Sequence, residues 1–170
     1  MFETRLILGG ARSGKSARAL RLAEERASTR VFIATAEALD DEMSERIRRH
    51  QEERGKGWTT IEAPLDLIGA IGAAASQGEV CVIDCLTLWL SNLMHHGRDV
   101  GHETIRLCDH LRTAPTPIIL VSNEVGLGLV PETPLGRAFR DAQGRLNQHV
   151  AEVCSNVEFV AAGLPISLKG

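Results

Sequence analysis

The sequence predicts an α/β protein built on one mostly parallel β-sheet, flanked by helices and closed at one edge by an antiparallel strand. Three observations carry this. Apolar runs rich in β-branched residues alternate with helix-length periodic segments along the chain, the rhythm of strand–helix–strand units. Runs such as Val80-Cys81-Val82-Ile83 are apolar without alternation, which fits strands buried on both faces. Near the N-terminus a strand, a glycine loop and a helix follow one another in the order of a phosphate-binding unit. With 170 residues, the chain suffices for one sizeable core, so residues 1–170 read as a single domain.

The strands are expected at Thr4–Leu8, Arg30–Thr35, Trp58–Glu62, Glu79–Asp84, Pro117–Asn123, Asn156–Ala161 and Ile166–Leu168. Helices are expected near Lys15–Ala27, Asp40–Arg54, Pro64–Gln77, Leu86–His95, Glu103–Arg112 and Pro134–Cys154. Pro64 suits a first helical position, where no N–H is needed, and Gly78 and Gly97 sit where helices should stop. The last two strands are close enough in sequence for a hairpin. One long irregular stretch, Glu124–Thr133, follows a strand directly. Loops at that end of a parallel strand form ligand crevices, so it reads as a lid or wall, or else as a surface connection.

Bulk properties narrow the function. Hydrophobic residues make up 44%, charged residues 24%, and the formal net charge is −3. No global basic field draws this chain to nucleic acid or anionic membrane, and aromatic residues for base stacking are scarce. A small phosphorylated ligand held by local groups fits better. Met1-Phe2-Glu3-Thr4 runs straight into the first strand without a signal-like apolar core, so a cytoplasmic location is expected. Leu65–Ala75, the most apolar helical stretch, is too short to span a membrane. Cys81, Cys85, Cys108 and Cys154 show neither C-x-x-C nor zinc spacing and read as buried thiols.

Gly9-Gly10-Ala11-Arg12-Ser13-Gly14-Lys15-Ser16 is a G-x-x-x-x-G-K-S run. Its glycines let backbone N–H groups converge on an anion, and the following helix adds its N-terminal partial charge. Lys15 can reach β- and γ-phosphates, and the Ser16 hydroxyl can ligate Mg²⁺. Asp84 ends an apolar strand, the arrangement by which a carboxylate reaches the same Mg²⁺; it can also cap the helix starting near Leu86. Thr35 and Glu62 are expected at the same sheet edge.

In Leu39–Arg54, Leu39, Met43 and Ile47 recur every four residues, and His50 extends that apolar stripe. An imidazole facing the nucleotide crevice can accept a nucleotidyl group on nitrogen or act as a general base; a half-buried structural histidine satisfies the same pattern. The surrounding charges read as a solvated helix face with pairs such as Glu45–Arg49.

Taken together, Gly9–Ser16, Ile33-Ala34-Thr35, Asp40-Asp41-Glu42-Met43 with Arg46-Ile47 and His50, Val121–Gly126 with Val130-Pro131-Glu132, Phe139-Arg140-Asp141, and Gly144-Arg145 with Asn147-Gln148 resemble the adenosylcobinamide kinase / adenosylcobinamide-phosphate guanylyltransferase family. The resemblance spans nearly the whole chain. It implies a RecA-like P-loop fold and a homotrimer. It also implies phosphorylation of adenosylcobinamide by ATP or GTP, then transfer of GMP from GTP to adenosylcobinamide phosphate through a GMP-histidine intermediate. His50 matches the family histidine. The implied nucleotide contacts are Gly9, Gly10, Ala11, Arg12, Ser13, Gly14, Lys15, Ser16, Ala34, Thr35, Ala36, Gln51, Glu52, Glu53, Arg54, Glu62 and Asp84. Some members carry two adjacent histidines, where this chain has Arg49-His50, and little lies between Gly97 and Glu103. Two other readings of the same residues stay open: a P-loop kinase for another small alcohol, and a RecA-like nucleotide switch.

Overall fold

The computed structural model of the protein describes residues 2–37 and 54–170. The expected helix over 40–54, its stripe residues Leu39, Met43, Ile47 and His50, and Gln51, Glu52 and Glu53 therefore lie outside the described residues; only Arg54 of that segment is within them.

Seven strands form one sheet in the order β3-β2-β4-β5-β1-β6-β7. They are β1 (Thr4–Gly9), β2 (Arg30–Ala34), β3 (Trp58–Glu62), β4 (Val80–Asp84), β5 (Ile118–Asn123), β6 (Asn156–Ala161) and β7 (Leu164–Lys169). Strands β1 to β6 are parallel, and β7 returns antiparallel on β6 as the expected hairpin. The described helices are α1 (Lys15–Arg26), α2 (Leu67–Ala74), α3 (Leu86–His95), α4 (Val100–Arg112) and α5 (Pro134–Val153).

Side-chain alternation along the strands divides the core in two. Ile7, Phe32, Val82 and Val121 pack with Ala19 and Ala23 of α1 on one face. Leu6, Ile33, Ile83 and Leu120 pack with α2, α3, α4 and α5 on the other. Both faces are covered, which is why the central strands read as unbroken apolar runs.

Two helix starts differ from expectation, and a side-chain cap explains each. α2 begins at Leu67 rather than Pro64, because the Asp66 carboxylate accepts from the Gly69 N–H at 3.0 Å. α4 begins at Val100 rather than Glu103, with Asp99 accepting from the His102 N–H at 3.0 Å. A carboxylate that satisfies an orphan N–H sets the boundary more firmly than a proline that merely tolerates it. All four cysteines are free and buried, and burial pushes the Cys81 and Cys154 thiols up to about 12.

Candidate nucleotide site

The loop from Gly9 to Gly14 joins β1 to α1, and its geometry depends on two glycines. A Cβ on Gly9 would sit 2.4 Å from Ser13 Oγ and 2.6 Å from the Val160 carbonyl, so the close backbone approach excludes any side chain. Gly14 caps α1 at φ 96°, a left-handed conformation that glycine adopts without strain. The loop is tied down on both sides. The Gly163 N–H, in the β6–β7 turn, donates to the Ser13 carbonyl at 2.8 Å, and the Glu124 N–H donates to the Gly9 carbonyl at 3.0 Å.

Within this cradle the Lys15 ammonium donates to the Gly10 carbonyl at 2.8 Å, with the residue 9% exposed. The amine is held across the loop by an acceptor that phosphate oxygens can replace. The Ser16 hydroxyl makes no hydrogen bond among the described residues, and Ser13 Oγ is buried without a partner among them. A cradle with unspent donors at a helix N-terminus fits an anion.

Strand register brings the remaining groups to it. Glu62 pairs with Ala34, Ala34 with Asp84, and Asp84 with Val121, forming one row across β3, β2, β4 and β5. Register partners in adjacent parallel strands share a face, and Ala34 and Val121 belong to the α1 face. Glu62 and Asp84 are therefore placed on the side of Lys15 and Ser16. Ala34 puts only a methyl between the two carboxylates. Asn123, one repeat beyond Val121 on the same face, pairs with Gly9 itself. Its side chain spends no hydrogen bond on the described residues, while its backbone is fixed by Thr87 at 2.8 Å and Asn147 at 3.0 Å. The sequence reading missed Asn123, because strand order is needed to see that β5 borders the loop strand.

The residues fit a Mg²⁺ ion of the kind that bridges protein and phosphate. Such an ion takes one or two protein ligands and completes its shell with phosphate oxygens and water. Ser16 and Asp84 are two oxygen donors on one face. No group of three or more His, Cys, Asp or Glu able to hold a metal occurs among the described residues.

Thr35 departs from the expected grouping. It is fully buried on the opposite face, where its hydroxyl donates to the Cys85 carbonyl at 2.7 Å and accepts from the Cys85 N–H at 2.8 Å. Its side chain fastens β2 to the end of β4. Arg54 lies on the α1 face but is set back from the edge. It stacks over the Phe32 ring at 3.7 Å and donates to Thr60 Oγ1 at 3.0 Å. Burial lowers its pKa, while the Asp84 charge opposes that shift.

α3 lies across the C-terminal ends of three strands. Asn92 donates to the carbonyls of Thr35 at 2.7 Å and Pro64 at 3.0 Å, and Thr87 accepts from Asn123. At its far end His96 Nε2 meets the Glu37 carboxylate at 2.9 Å.

A glycine cradle with its lysine, facing a strand-end carboxylate across an intervening strand, defines a RecA-like P-loop nucleotide-binding protein. The fold is similar to that of the flagellar accessory protein FlaH from Methanocaldococcus jannaschii. The TM-score is 0.60 at 14% identity, over 98% of this chain and 78% of that one. The family described as cobinamide kinase / cobinamide phosphate guanyltransferase matches residues 5–168. The chain is 47% identical over 167 residues to the bifunctional adenosylcobalamin biosynthesis protein CobP of Pseudomonas aeruginosa, covering 97% of this chain and 96% of the relative. It is 36% identical over 179 residues to CobU of Escherichia coli, covering 96% and 98%. The chain belongs to this family and is one of its bifunctional enzymes. The resemblance carried by the sequence motifs is thus borne out. No helix among the described residues is long and apolar enough to cross a membrane.

Proposed function

We propose that this enzyme phosphorylates the aminopropanol hydroxyl of adenosylcobinamide with ATP or GTP and then guanylylates the product, acting as a cytoplasmic homotrimer. The observation that carries the nucleotide chemistry is the gathering of Lys15, Ser16, Asp84 and Asn123 on one face of one sheet edge.

In the kinase step Lys15 exchanges the Gly10 carbonyl for phosphate oxygens and screens their charge. The substrate oxygen attacks the γ-phosphorus in line, its proton passes to solvent or a base, and the nucleoside diphosphate leaves. Ser16 and Asp84 would hold a Mg²⁺ ion, which would supply further charge neutralisation on the phosphates. In the transferase step a neutral His50 nitrogen attacks the α-phosphorus of GTP and pyrophosphate leaves. The phosphate oxygen of adenosylcobinamide phosphate then attacks the same phosphorus, the N–P bond breaks, and adenosylcobinamide-GDP is released with the histidine restored. His50 precedes Arg54 by four residues in the chain. The contacts implied for Ala34, Ala36, Gln51, Glu52, Glu53 and Glu62 belong to this reading; for Thr35 it leaves only the backbone.

One cradle cannot bring both the γ- and the α-phosphorus to an acceptor without the nucleotide shifting, so two nucleotide poses are expected. Incubation with GTP labelled at the α-phosphate tests the transferase half. The account expects acid-labile, base-stable label on the wild type and none on His50→Asn. Active, folded protein that takes up no label would leave a kinase alone.

A further inference from the structure

The position of the corrinoid is the part of this reaction that the phosphate cradle does not supply. A flat macrocycle carrying methyl groups and a rim of amides needs an apolar wall with a few hydrogen-bonding groups, within reach of the γ-phosphate. A region among the described residues has those properties. Leu127, Leu129, Val130 and Leu135 are 83%, 96%, 64% and 70% exposed, a concentration of bare aliphatic side chains that marks a binding surface on a soluble protein.

The segment that carries them is tied in place. The Glu124 carboxylate accepts from the N–H groups of Gly126 at 2.7 Å and Leu127 at 3.1 Å. Arg140 donates to the Gly126 carbonyl at 2.6 Å, and Arg137 to those of Pro131 at 3.0 Å and Glu132 at 2.8 Å. The two arginines hold the loop over the first turns of α5. The loop also starts at the phosphate cradle, since the Glu124 N–H bonds the Gly9 carbonyl.

Beside it lies a cavity of about 620 Å³ between the end of α3 and the start of α5. Met94, Leu135 and Phe139 give it apolar walls, and Ser91, His95 and Thr133 add polar groups. That size and mixture belong to small-molecule sites, whereas a contact between two copies of the chain needs no cavity. Leu135 belongs both to the cavity and to the exposed row.

We propose that the 124–133 loop and the adjoining α3–α5 cavity form the corrinoid-docking surface, receiving one edge of the macrocycle while its aminopropanol arm points to the cradle. This rests on the function proposed above. The test uses Leu129→Asp and Leu135→Asp in the full chain, with Ile105→Asp on α4 as a control at a position 59% exposed. Adenosylcobinamide binding is followed by equilibrium dialysis, and KM values and solution mass are measured in parallel. Both loop variants should raise the corrinoid Kd and KM at least tenfold. The nucleotide KM and GMP self-labelling should stay within twofold, and the control should behave as wild type. Unchanged corrinoid binding in both variants overturns the proposal, and so does a change in solution mass, which would assign the surface to contact between copies. If the wild type binds no adenosylcobinamide, the failure lies with the function itself; if it binds and the variants match it, only the surface is wrong.

Discussion

The two sides of one sheet edge make different use of similar residues. On the side of α2 to α5, Thr35, Thr87, Asn92, Ser122, Gln143 and Asn147 are all buried, and they bond one another or nearby backbone. Ser122 donates to Asn147 Oδ1 at 2.7 Å, and Gln143 donates to Ser122 at 3.0 Å and to Asn147 at 2.9 Å. On the α1 side, Asn123 borders the glycine loop with Lys15 and Ser16, Asp84 lies two strands from β1, and Glu62 continues the same row two strands further out. Polar residues at strand ends are thus not evidence of a site by themselves. What separates structure from function here is the face each residue points to.

The comparison breaks if the α1 face can be altered without loss of activity. Lys15→Ala should lower kcat of the kinase reaction by on the order of 10²–10³-fold, with thermal unfolding little changed, since among the described residues the amine makes one hydrogen bond, to Gly10. Asp84→Asn should cost on the order of 10²-fold and raise the Mg²⁺ concentration needed for half-maximal rate, as measured by titration of the ion.

Thr35→Val sharpens the contrast from the other side. It strands the Cys85 N–H and carbonyl, so unfolding in denaturant should show a loss of about 1–3 kcal/mol, with the GTP KM within twofold. A large rise in KM would move Thr35 to the nucleotide. Gln143→Leu should cost less, about 1 kcal/mol or under, because it also removes the buried Oε1, which has no partner among the described residues.

A further small effect lies away from the edge. Glu158 on β6 is 6% exposed and accepts from Arg18 at 2.9 and 3.0 Å, with Arg5 as a further partner. The Arg18 hydrogen bond holds its carboxyl below the usual range. The stabilisation is therefore present above the unfolded value near 4.5 and fades as pH falls through the lower folded value. Both arginines keep contact with water, so Glu158→Gln should cost only about 1 kcal/mol at pH 7. The difference from wild type should narrow as pH falls below 4.5 and close once it has passed the lowered folded value.

Much of this was legible in the sequence. The glycine loop, the strand-end Asp84 and the parallel sheet follow from local patterns: a fixed spacing, a carboxylate after an apolar run, and unbroken strand hydrophobicity. The strand order did not follow. It arises from crossovers that no local signal encodes, and it alone shows that β5 borders β1 and that Asn123 sits beside Gly9. Thr35 reads as a site residue because a threonine at a strand end gives no sign of which face it takes. Its bonds to Cys85, fifty residues away, show where the side chain lies.

The central claim, that the α1 face of the edge is the working face, is tested most directly by a crystal structure with Mg²⁺ and a non-hydrolysable GTP analogue. The account predicts the triphosphate in the Gly9–Ser16 loop, Lys15 Nζ moved from the Gly10 carbonyl onto phosphate oxygen, and the ion between Ser16 and the Asp84 carboxylate. A triphosphate lying over Thr35 and α3, with Lys15 still on Gly10, would contradict it.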